Sequence, residues 1–189
     1  MKITLAIDTS TARTQFAILN GSELLWLQTE DGATTHGDVL AKFGALAAKE
    51  KIDQVIVGMG PGPFTGLRTG IVFAQSFAFA RGLPVHGICS LDAIAYGIDL
   101  PEFIVATDAR RKELYWARYI DGKRIGDPLV TAPSEIPKLP IFGEGALKYS
   151  LSSDTQHLYP KVISFPELSH VYEPMYLRHP DAVPTADRK

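Results

Sequence analysis

Apolar positions along the chain fall into short continuous runs and helical stripes separated by turn signals, the pattern of a mixed α/β protein. Ile3 to Ile7 reads as a buried strand that ends in the hydroxyl-rich stretch Asp8-Thr9-Ser10-Thr11. Gln15 to Leu19 and Glu23 to Gln28 read as the next two strands, with Asn20-Gly21 as a hairpin turn between them. The chain therefore opens with an antiparallel meander. From Asp38 to Glu50 apolar residues recur at helical spacing, with Val39, Leu40, Phe43, Leu46 and Ala47 on one face. Asp38 near the start of that helix and Lys49 and Lys51 near its end suit the helix dipole. Gln54 to Val57 is a fourth strand.

The stretch from Gly58 to Gly70 is rich in glycine and proline and separates that strand from a helix predicted over Leu67 to Arg81, with Thr65 as its N-cap. Gly66, Gly70, Ala74 and Ala78 form a stripe of small residues at four-residue spacing. Phe73, Phe77 and Ala80 form a second surface, and Val72 and Phe79 flank others. Apolar residues lie nearly all round, so the helix is expected to be covered on more than one side, the second cover being a partner. Gly82 and Pro84 end it. Val85 to Ile88 is a strand, and Ser90 is expected to cap a helix through Leu91, Ile94 and Ala95.

Near Asp99-Leu100-Pro101 the pattern starts again, which predicts a first lobe over residues 1–99 and a second over 100–189. Phe103 to Thr107 is a buried strand ending in Asp108, and Arg110-Arg111-Lys112 turns the chain. Leu114 to Ile120 is an aromatic-rich strand, Asp121-Gly122 a hairpin turn and Lys123 to Val130 a third strand interrupted by Gly126 and Pro128. Ser134 to Ile136 reads as a short helical turn and Ile141-Phe142 as a strand before Gly143-Glu144-Gly145. Lys148 to Glu173 carries mixed signals, and residues 180–189 read as a frayed polar tail.

Composition narrows the function. The chain has 189 residues, 46% hydrophobic and 21% charged, with a formal net charge of −2. That balance argues against gripping nucleic acid unaided, because phosphate contacts need a concentrated basic surface. Cys89 is the single cysteine and lies in an apolar setting, so it is expected to be buried. A strand enters directly after Met1, and no apolar run is long enough to span a membrane, so a cytoplasmic protein is expected.

Several chemistries fail on spacing. The glycine loop lacks the Gly-Lys-Ser/Thr of a P-loop and the third glycine of a dinucleotide fingerprint. His36, His86, His157, His170 and His179 include no H-x-x-x-H pair, and no metal site is expected. Ser10, Ser90 and Ser134 lack a nucleophile elbow. Tyr119 and Lys123 have a dehydrogenase-like spacing, but the turn at Gly122 separates them. Asp8 and Asp108 each end a buried strand at the start of a lobe. Across one cleft they could hold a metal-nucleotide or act as base. The purely structural alternative, in which each caps its own loop, fits better. The glycines expected beside a nucleotide-binding Asp are missing, and Arg110 and Arg111 crowd the second loop.

Four strings, taken in order, resemble the TsaB (YeaZ) family. They are Ala6-Ile7-Asp8-Thr9-Ser10, then Gly60-Pro61-Gly62-Pro63-Phe64-Thr65-Gly66-Leu67-Arg68, then Asp108-Ala109-Arg110 with Glu113-Leu114-Tyr115, and last Pro174-Met175-Tyr176-Leu177-Arg178. The resemblance implies a two-lobe actin/Hsp70/sugar-kinase-like fold in a bacterial cytoplasm. It also implies a role in making threonylcarbamoyladenosine on the tRNA base beside the anticodon, as the non-catalytic partner of a TsaD-like transferase with a TsaE-like ATPase alongside. Such a subunit has no intrinsic cofactor. ATP or ADP would sit at the interface of the complex, tRNA would be met only through the complex, and homodimerisation of the free chain is left open. The family pairs through first-lobe helices, which makes Val39, Phe43, Gly66, Gly70, Phe73, Ala74, Phe77 and Ala78 the contact candidates. Asp8, Thr9, Ser10 and Asp108 become remnants of a nucleotide cleft. Pro63 stands where the family usually has Ser, and Thr69 where it usually has a branched aliphatic residue. The second lobe is expected to be trimmed between Ser150 and Tyr172. The rival is a stand-alone ATP-dependent phosphotransferase of the same fold using Asp8 and Asp108. A protease is a second rival, but no nucleophile and base pair up for it.

Overall fold

The computed structural model describes residues 1–32 and 36–178. The tail over 180–189 and His179 lie outside the described residues. The meander is present as β1 (Ile3–Asp8), β2 (Arg13–Asn20) and β3 (Glu23–Asp31). Asn20 pairs with Glu23, so the two-residue turn is Gly21-Ser22, one position later than predicted. Gly21 takes the positive φ that such a turn needs, 61°. After α1 (His36–Ala47), β4 (Gln54–Gly58) runs parallel to β1, and β5 (Val85–Ile88) parallel to β4. The first sheet is six-stranded, in the order β10-β5-β4-β1-β2-β3. Its last member, β10 (His170–Val171), comes from far along the chain and pairs antiparallel with β5.

β1 and β4 are apolar on both faces because both faces are covered. On one side lie α1 and α2 (Phe64–Arg81), meeting Leu5, Ile7, Phe16, Val55 and Val57. On the other, Ala6, Ala17, Leu19 and Ile56 meet Ala93 of α3 (Ser90–Ala95) and the 3-10 turn Val162–Glu167. Each such fully buried aliphatic side chain contributes about 1.5–3 kcal/mol. The second sheet has four strands in the order β8-β7-β6-β9: β8 (Lys123–Thr131), β7 (Leu114–Ile120), β6 (Glu102–Asp108) and β9 (Ile141–Phe142). Leu91 and Ile94 of α3 pack against Phe103, Val105 and Tyr119 on one face. Ala146 of α4 (Glu144–Lys148) packs on the other. α3 is thus shared by both sheets. This is the actin/Hsp70/sugar-kinase-like arrangement, two sheets about a central helix.

Both cap expectations are corrected. α2 starts at Phe64 after Pro63, with no side-chain cap, and Thr65 lies exposed inside its first turn. Ser90 is the first residue of α3 rather than its cap, because its hydroxyl is committed to Asp8. The C-terminus of α2 is as predicted: Gly82 has φ 65°, and its N–H reaches Ala78 and Phe79 carbonyls. No helix among the described residues is long and apolar enough to cross a membrane.

Candidate functional site

Asp8 leaves the end of β1 directly beside the end of β4. Asp8 is fully buried, and a methyl on Gly58 would overlap its carboxylate. Asp8 Oδ1 accepts from the Ser10 N–H (2.8 Å) and the Ser10 hydroxyl (2.7 Å), while Oδ2 accepts from the Ser90 hydroxyl (2.7 Å). Burial pushes the Asp8 pKa up, and those three donors pull against it. Ser90 also accepts the Gly60 N–H (3.3 Å) and returns its own N–H to the Gly60 carbonyl (2.8 Å). Thr9 donates to the Gly66 carbonyl (2.8 Å) and lies against Gly70, while Gly62 lies against the backbone of Ser10. Side chains at 62 or 70 would overlap that loop, which is the physical reason for those glycines. His36, buried at the start of α1, shares a 2.6 Å hydrogen bond with Thr14. Burial lowers its pKa, with the charge of Arg110 acting in the same direction.

The third string is built differently. Asp108 Oδ1 accepts the Arg110 N–H (3.2 Å), and Oδ2 accepts Lys148 Nζ (2.6 Å). Arg110, Arg111 and Lys112 then all occupy the left-handed region, with φ 59°, 52° and 63°. Such backbone is costly for residues with a Cβ, about 1–2 kcal/mol each. The last string ties the two loops together. The Met175 N–H donates to the Met59 carbonyl (2.8 Å), Tyr176 packs on Phe64 with ring centroids 5.0 Å apart, and Arg178 donates to the Ala109 carbonyl (2.9 Å) and pairs with Glu113. All four strings therefore meet at one junction. No hydrogen bond or ion pair among the described residues joins Asp8 to Asp108, and each caps its own loop. Ser10 and Ser90 both donate to Asp8, so neither is paired with a histidine as a nucleophile. Cys89 is buried and its thiol is pushed up to about 12, which leaves it unreactive near neutral pH.

The helix contact candidates need correction. Gly66, Gly70, Ala74 and Ala78 are buried against the chain's own Thr9 loop and sheet. Val39 and Phe43 face the same core. Phe73 and Phe77 are half-buried. Phe73 packs on Phe16 (6.1 Å) and lies across Gly44 of α1, and Phe77 stacks on Phe73 (6.0 Å). Close approach of glycines fixes which side of α2 faces inward. The outward side holds Arg68, Val72, Gln75, Ser76 and Phe79. Phe79 is 90% exposed and Val72 49%. The contact set drawn from the sequence left out both; the signal for them was their place roughly opposite the small-residue stripe. Leu46, assigned to the apolar face, is exposed.

A family model described as "TsaD: tRNA N6-adenosine threonylcarbamoyltransferase" matches residues 39–173. An uncharacterised protein of Mycobacterium tuberculosis is 38% identical over 96% of this chain and 94% of its own length. The tRNA threonylcarbamoyladenosine biosynthesis protein TsaB of Escherichia coli is 33% identical over 61% of this chain and 54% of its own length. The solved structure of YeaZ from Pseudomonas aeruginosa superposes with a TM-score of 0.71 at 26% identity, covering 88% of this chain and 91% of that one. With its four motif strings gathered at one junction and these relatives, the chain belongs to the TsaB (YeaZ) family, within the wider family of TsaD-type domains.

Proposed function

We propose that this chain is a non-catalytic subunit in the formation of threonylcarbamoyladenosine on tRNA. It pairs with a TsaD-like transferase through the outer face of α2. The observation that carries the proposal is Phe79, 90% exposed one helical face away from a fully buried small-residue stripe, with Val72 two turns before it. Exposed aromatics at helical spacing are suited to an interface, where aromatic anchors dominate the energy. The name borne by the Escherichia coli relative supports the pathway. The enclosed Asp8 and the Lys148-paired Asp108 support a subunit without its own turnover. In this reading residues 1–99 supply the partner surface and the chain works in the cytoplasm. A TsaE-like ATPase joins the complex, any ATP or ADP binds where subunits meet, and tRNA is met only there. Without its transferase, the chain is free to pair with itself through the same face.

The test is Phe79→Arg. Circular dichroism and melting should match wild type. Size-exclusion and calorimetry with the TsaD-like transferase of the same cell should show affinity reduced about thirtyfold, since an anchor is worth about 2 kcal/mol or more. A folded Phe79→Arg protein that pairs normally and still supports tRNA modification removes the proposed interface. Steady ATP turnover by the isolated chain, abolished by Asp8→Asn and by Asp108→Asn, would replace the scaffold with a phosphotransferase.

A further inference from the structure

A sheet edge exposes unpaired backbone donors and acceptors, and proteins blunt such edges by shortening, kinking or charging them. Among the described residues the two sheets have four edges, and three are very short or interrupted by proline. β10 and β9 are each two residues long. β8 has nine residues, but it is broken by Gly126 at φ 74° and by Pro128, and it carries Lys123, Arg124 and Asp127. β3 also has nine residues and lacks proline, and its charges, Glu23, Glu30 and Asp31, are all acidic. Its only irregularity is a bulge at Leu25. Leu24, Leu25 and Leu27 are each 39–51% exposed.

Pairing with β2 assigns the β3 side chains to two faces. Leu24, Leu27, Thr29 and Asp31 sit opposite Leu19, Ala17, Gln15 and Arg13, on the face covered by residues 162–168, and Asp31 there is paired with Arg13. Glu23, Trp26, Gln28 and Glu30 share the α1 face. On the first face Leu27 helps line a pocket of about 440 Å³ with Arg13, Leu158, Lys161, Val162 and Ile163. Gln15, Thr155, Gln156 and Tyr159 also line it; the wall of Leu27, Leu158, Val162 and Ile163 suits an apolar side chain, and Lys161, beside an Arg13 already paired with Asp31, disfavours a further cation. On the other face Glu23 and Glu30 have no basic neighbour within β3. A second copy is a poor occupant: the antiparallel register that pairs all nine residues sets Glu23 opposite Asp31 and Leu24 opposite Glu30.

We propose that β3 is a docking edge for an extended segment of a partner protein, added as a strand, in which apolar residues alternate with Lys or Arg. The apolar set lies beside Leu24 and Leu27 with one residue entering the pocket, and the basic set lies beside Glu23 and Glu30. Main-chain hydrogen bonds hold the segment and the alternate side chains select it. This surface is separate from the outer face of α2, so it does not depend on the pairing proposed above.

The experiment is a titration of the full-length chain into a fluorescein-labelled, end-capped ten-residue peptide alternating valine with lysine, followed by anisotropy and Trp26 emission. Saturable binding is expected. Leu27→Lys should weaken it at least about tenfold. Glu30→Lys should weaken it about threefold and improve binding of a valine–glutamate peptide. Phe79→Arg should leave it unchanged, which separates this surface from the transferase face. Circular dichroism confirms the variants are folded, and Glu30→Lys tests the claim if Leu27→Lys is not. No saturation by about 1 mM peptide, or equal affinity for the valine–glutamate peptide, overturns the proposal. A wild-type dimer that Leu27→Lys converts to monomer in sedimentation velocity overturns it in favour of a second copy. Peptide binding regained only when residues 179–189 are removed would likewise overturn it, in favour of the chain's own tail.

Discussion

Asp8 and Asp108 occupy matching places: each ends the first strand of its sheet, and each caps the N–H two residues on. Locally they are one motif. Their surroundings make them different residues. Around Asp8, glycines at 58, 62, 66 and 70 let β4, the proline-rich loop and α2 close onto the Asp8-Thr9-Ser10 turn, so the carboxylate is sealed and held by two serines. Around Asp108 the following residues are Ala109, Arg110 and Arg111. Helix α4 comes up with Gly145 beside the Asp108 backbone and Glu144 accepting the Asp108 N–H, and the carboxylate itself is met by the half-exposed Lys148 of that helix. The same turn is a keystone in one lobe and a half-exposed ion pair in the other. Glycines let a neighbouring backbone close on both strand ends, so what distinguishes the two is what meets the carboxylate: two buried serines for Asp8 and a half-exposed lysine for Asp108.

The comparison can be broken most severely at the glycines. Gly70→Leu should prevent folding or cost more than about 4 kcal/mol, because the Thr9 loop and the α2 backbone are both rigid. A soluble variant with a wild-type melting point would show that α2 is free to move off the loop. Asp8→Ala is next, at about 3 kcal/mol, since it strands the Ser10 N–H and two hydroxyls in a buried site. Asp8→Asn should cost less. Burial raises the Asp8 pKa, so its contribution is complete below the unfolded carboxylate value of about 3.9 and falls as pH rises through the folded value. Asp8→Asn should therefore flatten the decline in denaturation midpoint that begins near the unfolded value of about 3.9 and ends at the raised folded pKa of Asp8. An unchanged pH profile would mean the carboxylate is not sealed. Asp108→Ala should cost only about 0–1 kcal/mol, as for other exposed ion pairs. If it matched Asp8→Ala in urea melts, the asymmetry between the lobes would be lost.

Helical and strand periods, hairpin signals at Gly21 and Gly122, and the helix stop at Gly82 were all legible in the residues. They depend on local backbone freedom and on which face of one element is apolar. The meander followed from them, while the two-lobe fold was what the family resemblance implied and the enclosure of Cys89 followed from its apolar neighbours. Two-sided burial of α2 was partly legible: the small stripe had to meet a backbone. Its identity as the chain's own Thr9 loop was not, because Thr9 and Gly66 are 57 positions apart. Nor could periodicity say that Phe73 and Phe77 lean into the Phe16 cluster while Phe79 faces out, since an all-apolar helix has no preferred inward side of its own. β10 was missed because a histidine beside one valine carries no strand pattern, unlike Ile141-Phe142, and it exists only where β5 offers an open edge. Local propensity and period depend on near neighbours in the chain and are written in the sequence. The inward side of α2, the sealing of Asp8 and the bare edge of β3 depend on which distant surfaces come within van der Waals contact, and only the folded chain decides that.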